Sequence, residues 1–200
     1  MQVYHSMKSS FQIIYLNGPS SSGKTTLAKA LQAKLEPPFL HIGLDRVIGM
    51  MPEKLNNWEG GIAPEGFSWL ESVDETGHLV HEIQMGPYAK KICQTLKEIV
   101  LTLARIGHYI IIDDVAFGSA EVHVWKETLK EHKVLWVGIK APLAILEERE
   151  KTRGNRIIGS ARAQHFKVHS DVRYDLECNT SKEPLEDIIM AIMEKICQTT

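Results

Sequence analysis

Gly18-Pro19-Ser20-Ser21-Ser22-Gly23-Lys24-Thr25 satisfies G-x-x-x-x-G-K-[ST] at every fixed position, and no other feature narrows the fold as far. The pattern takes its meaning from its neighbours. Before it, Phe11 to Asn17 forms a mainly apolar run; after it, Leu27, Ala30, Leu31 and Leu35 recur at helical spacing. A strand that turns through glycine into a helix aims backbone N–H groups and the positive end of the helix at one point. Such a point suits the phosphates of a nucleotide. Gly18 to Thr26, including Pro19, Ser20, Ser21, Ser22 and Gly23, are thus the expected cradle. Lys24 would reach the β- and γ-phosphates and Thr25 would ligate a cation, so ATP and Mg²⁺ are the expected cofactors. A glycine turn without a ligand is the bland alternative, and the flanking strand and helix argue against it.

Two hundred residues suit one α/β domain with a proper core rather than two. Residues 1–10 read as a flexible leader and 11–200 as a single domain. Predicted strands are Phe11 to Asn17, Phe39 to Leu44, Tyr109 to Asp113, Val134 to Ile139 and Val172 to Cys178. Pro37 and Pro38 end the first helix. Ile92, Leu96, Ile99, Val100, Leu103 and Ile106 form the apolar face of a helix over 87–106. Pro142 opens another helix, and Thr180 or Ser181 is the expected cap of the last. Strands alternating with helices predict a three-layer P-loop kinase fold, a five-stranded parallel sheet with helices on both faces.

Residues 51–86 break the rhythm. They show neither strand nor helix period and carry several glycines and prolines. A connection of that length in a compact domain is usually a binding loop or lid. Met51, Trp58, Phe67, Trp69 and Met85 make it a candidate wall for a partly aromatic substrate, with a satellite hydrophobic cluster as the competing reading.

Asp45, at the end of the second strand, is the expected catalytic base. Phosphoryl transfer to an alcohol needs one carboxylate to orient the hydroxyl and accept its proton. An ordinary helix N-cap is the alternative. Asp113 and Asp114 close the third strand and point to opposite sides of it, so at most one faces the metal. Asp113 is the chosen metal ligand, and Asp114 is grouped with the substrate residues. Arg149, Lys151, Arg153, Arg156 and Arg162 cluster in a lid-like segment, 149–168. Arg149 and Arg153 are expected to meet the charge on the transferring phosphoryl group. Pairing with Glu147, Glu148 and Glu150 on a solvated helix is the competing reading. His78 with His81 and His165 with His169 lack a third metal ligand and read as surface residues.

Together these residues resemble the chloramphenicol phosphotransferase family. The likeness runs through Leu16 to Thr25, Gly43-Leu44-Asp45 with Met51-Pro52, and Glu59 to Ile62. It continues through Ile110 to Val115, Leu135 to Gly138, Arg149 to Arg156, Val168-His169 and Tyr174-Asp175. The resemblance implies an ATP-dependent kinase acting on the primary hydroxyl of chloramphenicol. It also implies that Asp45 is the base and that Arg153 and Arg156 border the nucleotide. Departures concentrate between Trp58 and Tyr88, which leaves other acceptors open, a nucleotide-sugar or another metabolite among them. A nucleotide-hydrolysing switch is a further class, against which the apolar insert argues.

A formal net charge of −2 gives no electrostatic reason to expect nucleic acid or an anionic membrane as partner. No apolar run approaches spanning length, and Met1 to Ser10 has no signal-peptide core. The three widely spaced cysteines fit a reducing cytoplasm. The expected partner is a small-molecule alcohol, and the pattern is compatible with a homo-oligomer.

Overall fold

The structure is a computed structural model describing residues 10–154 and 157–197. Apart from Ser10, which bonds the Ile196 carbonyl, the leader lies outside the described residues, as does Arg156.

Strand β1 (Ile13–Asn17) is buried at every position. It lies between β5 (Tyr109–Asp114) and β6 (Val134–Lys140), with β2 (Phe39–Gly43) and β7 (Leu176–Asn179) on the edges. Every pairing in this five-stranded sheet is parallel. Strands apolar on both faces require cover on both. Ile14, Leu16, Ile111 and Val137 pack under α1 (Lys24–Lys34) and α7 (Leu185–Cys197). On the other face Ile13, Tyr15, Ile110 and Ile112 meet Leu96 and Val100 of α3 (Pro87–Arg105) and Trp125 of α4 (Gly118–Thr128). The expected α/β fold with its five-stranded parallel sheet is therefore present.

The insert departs from expectation. Following α2 (Leu44–Ile48), it contains a short 3₁₀ turn and an antiparallel hairpin of β3 (Phe67–Val73) and β4 (Leu79–Met85). The Asp74 carboxylate nucleates its turn by accepting from the Thr76 and His78 N–H groups, both at 2.9 Å. At the hairpin's root, a Cβ on Gly66 would stand 1.9 Å from the Leu55 carbonyl oxygen, and one on Gly86 2.1 Å from that of Pro64. Both positions therefore need glycine for close backbone approach. Met51 and Phe67 are buried with Ala89 against Ile92 and Cys93 of α3. This corrects their assignment to a substrate wall: both are packing residues.

Two boundaries also shift. The last strand is confined to β7, and α7 starts only at Leu185, so neither Thr180 nor Ser181 caps it. The lid-like segment comprises the end of α5 (Leu143–Arg153) and α6 (Ser160–His165) among the described residues. α6 packs on β4 and α5.

Candidate active site

Backbone chemistry defines the loop between β1 and α1. Pro19 has no N–H. Ser20 donates its own to the Gln164 Oε1 at 2.6 Å, and Ser22 donates to the Pro19 carbonyl at 3.2 Å. Among the described residues, the Ser21 and Gly23 N–H groups take no internal acceptor. The Ser21 and Ser22 hydroxyls are buried and lack hydrogen-bond partners. Buried polar groups left open in this way mark a ligand's place. A Cβ on Gly18 would lie 2.4 Å from the Ile139 carbonyl oxygen, so only glycine brings this loop so close to β6. The donor set fits a polyphosphate.

Lys24 is buried at the start of α1, its Nζ donating to the Pro19 carbonyl at 3.0 Å and standing 3.9 Å from Asp113 Oδ1. Thr25 donates its hydroxyl to Asp113 Oδ2 at 2.6 Å. Burial alone would raise the Asp113 carboxyl. The His41 imidazole, the Lys24 ammonium and the Thr25 hydroxyl around it nevertheless hold it below the ordinary aspartate range. A hydroxyl beside a persistently ionised carboxylate is a hard oxygen set, suited to Mg²⁺.

Asp114 faces the opposite way. It accepts from the Tyr15 hydroxyl and the Trp125 indole N–H, each at 2.7 Å. Burial, reinforced by Asp114, holds the Tyr15 phenol well above its ordinary value. Asp114 is thus an anchor of the far helical layer, which corrects its grouping with substrate residues. Asp45 opens α2 and is exposed. It stands two residues beyond Gly43, whose Cα pairs with Asp113, at the C-terminal edge of the sheet.

A cavity of about 690 Å³ opens beside the loop, lined by Ser21, Gly23, Thr26, Arg149, Arg153 and Thr180 among others. Arg149 bonds the Thr180 hydroxyl and carbonyl, both at 2.9 Å, and reaches the Ser21 carbonyl at 3.4 Å. Thr180 in turn donates to the Ser22 carbonyl at 2.8 Å. Arg149 therefore braces the β7–α7 connection against the loop while it lines the cavity beside that loop. Arg153, one helical turn on, is exposed on the same cavity wall. Arg162 is also diverted: it bonds Asp74 Oδ2 at 2.6 Å and Glu147 Oε1 at 2.9 Å, tying the hairpin tip to α5. The bond from His78 N–H, then that from Arg162, hold the Asp74 carboxyl well below the carboxylate range.

Trp58 is 42% exposed, stacked on Phe67 at 5.9 Å and tilted against Trp69 at 6.1 Å. Of the insert's expected wall residues, Trp58 is exposed, and Trp69 and Met85 are half-buried, Met85 against the Met51–Phe67 cluster. Sequence reading passed over His41, Gln164 and Thr180 as site residues, and treated Glu150 as a surface charge. Glu150 is in fact 1% exposed. His169, read as a surface residue, is half-buried and bonds the Tyr174 hydroxyl at 2.9 Å.

The central β1, the open N–H groups and the convergence of Lys24, Thr25 and Asp113 define the P-loop kinase class of phosphotransferases. Solved structures share the fold. The Mycobacterium tuberculosis APS kinase, in complex with AMPPNP and APS, superposes with a TM-score of 0.62 at 13% identity, covering 94% of this chain and 98% of that one. A gluconokinase from Sinorhizobium meliloti gives 0.55 at 13% identity, over 94% and 93%. The chloramphenicol phosphotransferase-like family matches residues 11–197, and the chain belongs to that family. A Mycobacterium tuberculosis protein of strain H37Rv, provisionally named an O-phosphotransferase, is 27% identical over 92% of this chain and 81% of its own. The chain is a phosphotransferase.

Proposed function

We propose that this protein is an ATP-dependent O-phosphotransferase that moves the γ-phosphate to a hydroxyl of a small molecule. Chloramphenicol is the first acceptor to test, and its inactivation the first physiological role. The observation that carries the reading is the Lys24–Thr25–Asp113 group beside a loop with open N–H donors. Thr25 and Asp113 would hold Mg²⁺, which supplies charge neutralisation on the phosphate oxygens when bound. Lys24 and the loop N–H groups bind and orient the phosphates, and Arg153 adds positive charge from the cavity wall. The acceptor oxygen bonds to the γ-phosphorus, the bond from that phosphorus to the bridging oxygen of ADP breaks, and Asp45 takes the hydroxyl proton. Trp58 and Trp69 favour an acceptor with an apolar or aromatic part. No helix among the described residues is long and apolar enough to cross a membrane. We place the enzyme in the cytoplasm, with ATP as its donor.

ATP consumption with and without hydroxylated acceptors, chloramphenicol first, tests the proposal. Lys24→Ala should remove most turnover, whereas Asp45→Asn should retain nucleotide binding and lose transfer by about 10²-fold or more. Turnover indifferent to every alcohol would instead describe a nucleotide-hydrolysing switch.

A further inference from the structure

Three side chains surround the Asp113 carboxylate, and one of them has no part in the function above. His41 lies on β2 two residues before Gly43, so it shares the face on which Gly43 pairs with Asp113. Its side chain is only 6% exposed, and Nε2 stands 3.5 Å from Asp113 Oδ2. That separation is at the outer limit of a hydrogen bond, and among the described residues neither ring nitrogen has a hydrogen-bond partner. A buried imidazole with nothing else to bond is costly unless the site uses it. The oxygen that it faces also receives the Thr25 hydroxyl at 2.6 Å, while Oδ1 is the atom facing Lys24. Oδ2 thus takes one hydrogen bond, from Thr25, and faces the His41 Nε2 across the gap.

We propose that His41 is a positioning residue for the metal site: its N–H directs Asp113, Asp113 holds the Thr25 hydroxyl proton, and the Thr25 lone pairs are thereby turned toward the cation. The inference rests on the phosphotransferase reading, because it takes Thr25 and Asp113 as the residues that hold Mg²⁺. Groups behind the ligands of a metal set ligand orientation, and their loss typically weakens metal binding about 10- to 100-fold.

The test is Mn²⁺ binding to the enzyme–ADP complex, followed by the electron paramagnetic resonance of free Mn²⁺. It is paired with kcat at saturating Mg²⁺. His41→Leu should weaken Mn²⁺ binding about tenfold or more and change kcat at saturating metal far less. His41→Gln, whose amide can donate to the same oxygen, should recover most of that loss. Unchanged metal affinity in His41→Leu, or equal losses in the Leu and Gln variants, would reduce His41 to a space-filling residue. Should His41→Leu fail to fold by circular dichroism, His41→Phe, closer in shape to imidazole, takes its place with the same expected loss. Asp113→Asn separates the two readings: unaltered Mn²⁺ binding there overturns the metal site itself, and the His41 proposal with it. Lost binding in Asp113→Asn beside unchanged binding in the His41 variants overturns the His41 proposal alone.

Discussion

Glu150→Gln offers a sharp test of how the lid-like segment is held. The Glu150 side chain is enclosed at the end of α5, and its two oxygens take three donors. Gly159 N–H binds Oε2 at 2.7 Å, while the Ser160 hydroxyl and Ala161 N–H bind Oε1 at 2.6 and 2.8 Å. Glutamine keeps the shape and, with its oxygen toward Ser160 and Ala161, keeps two bonds in weaker, uncharged form. Its NH₂ then faces the Gly159 N–H, donor against donor. A buried donor left unmet costs about 1–3 kcal/mol, and the change from charged to neutral acceptor about 1 kcal/mol for each remaining bond. The total, about 3–5 kcal/mol, is a large fraction of a typical domain's stability. If the loss is global, Tm falls by roughly 6–20 °C for a chain of this size. If it is local, amide exchange accelerates over 159–165 while Tm holds. Calorimetry and hydrogen exchange on parent and variant distinguish these outcomes. Unchanged Tm together with unchanged protection at 159–165 would refute the claim that this carboxylate organises α6.

Two further outcomes follow from the same geometry. Trp58→Ala and Trp69→Ala should raise the acceptor KM about 2- to 12-fold, the range expected for a lost aromatic contact, with the ATP KM little changed; unaltered acceptor KM in both would make the pair packing residues only. Burial, with Lys140 nearby, lowers His169 from 6.5 to about 4. Between those values the unfolded chain binds a proton that the folded protein refuses, so this contribution is complete above pH 6.5 and is lost as pH falls toward 4. Urea midpoints measured across that window should slope less in His169→Gln than in the parent, and equal slopes would contradict the assignment.

The nucleotide side of this site was legible because its chemistry is local in sequence. Gly18 to Thr25, the run Ile110 to Asp113 and the alternation of strands with helices each carry their signal within a few residues. The hairpin was missed because Gly66, Gly77 and Gly86 read as breakers, when the Asp74-to-Gly77 turn was itself the signal for two strands of opposite direction. Trp69-Leu70 further blurred the period of two. The partners of Asp114, Arg149, Glu150 and Arg162 were hidden for a different reason. Each sits in a charged or acidic run whose spacing says nothing of the distant partner that it meets: Tyr15, Thr180, Ser160 and Asp74 respectively. His41 was invisible because its meaning depends on strand order, β2 lying beside β5.

The hairpin is held at both ends by unlike means. At its root, the backbones crowd Gly66 and Gly86 so closely that no side chain fits, whereas its far tip is latched by polar bonds from Arg162. Between these fastenings β4 lies on α6, the helix whose Gln164 also receives the Ser20 N–H of the phosphate loop. Leu70 and Gln84 are exposed on that strip, so changes there leave both fastenings, the crowded root and the polar latch, as they are.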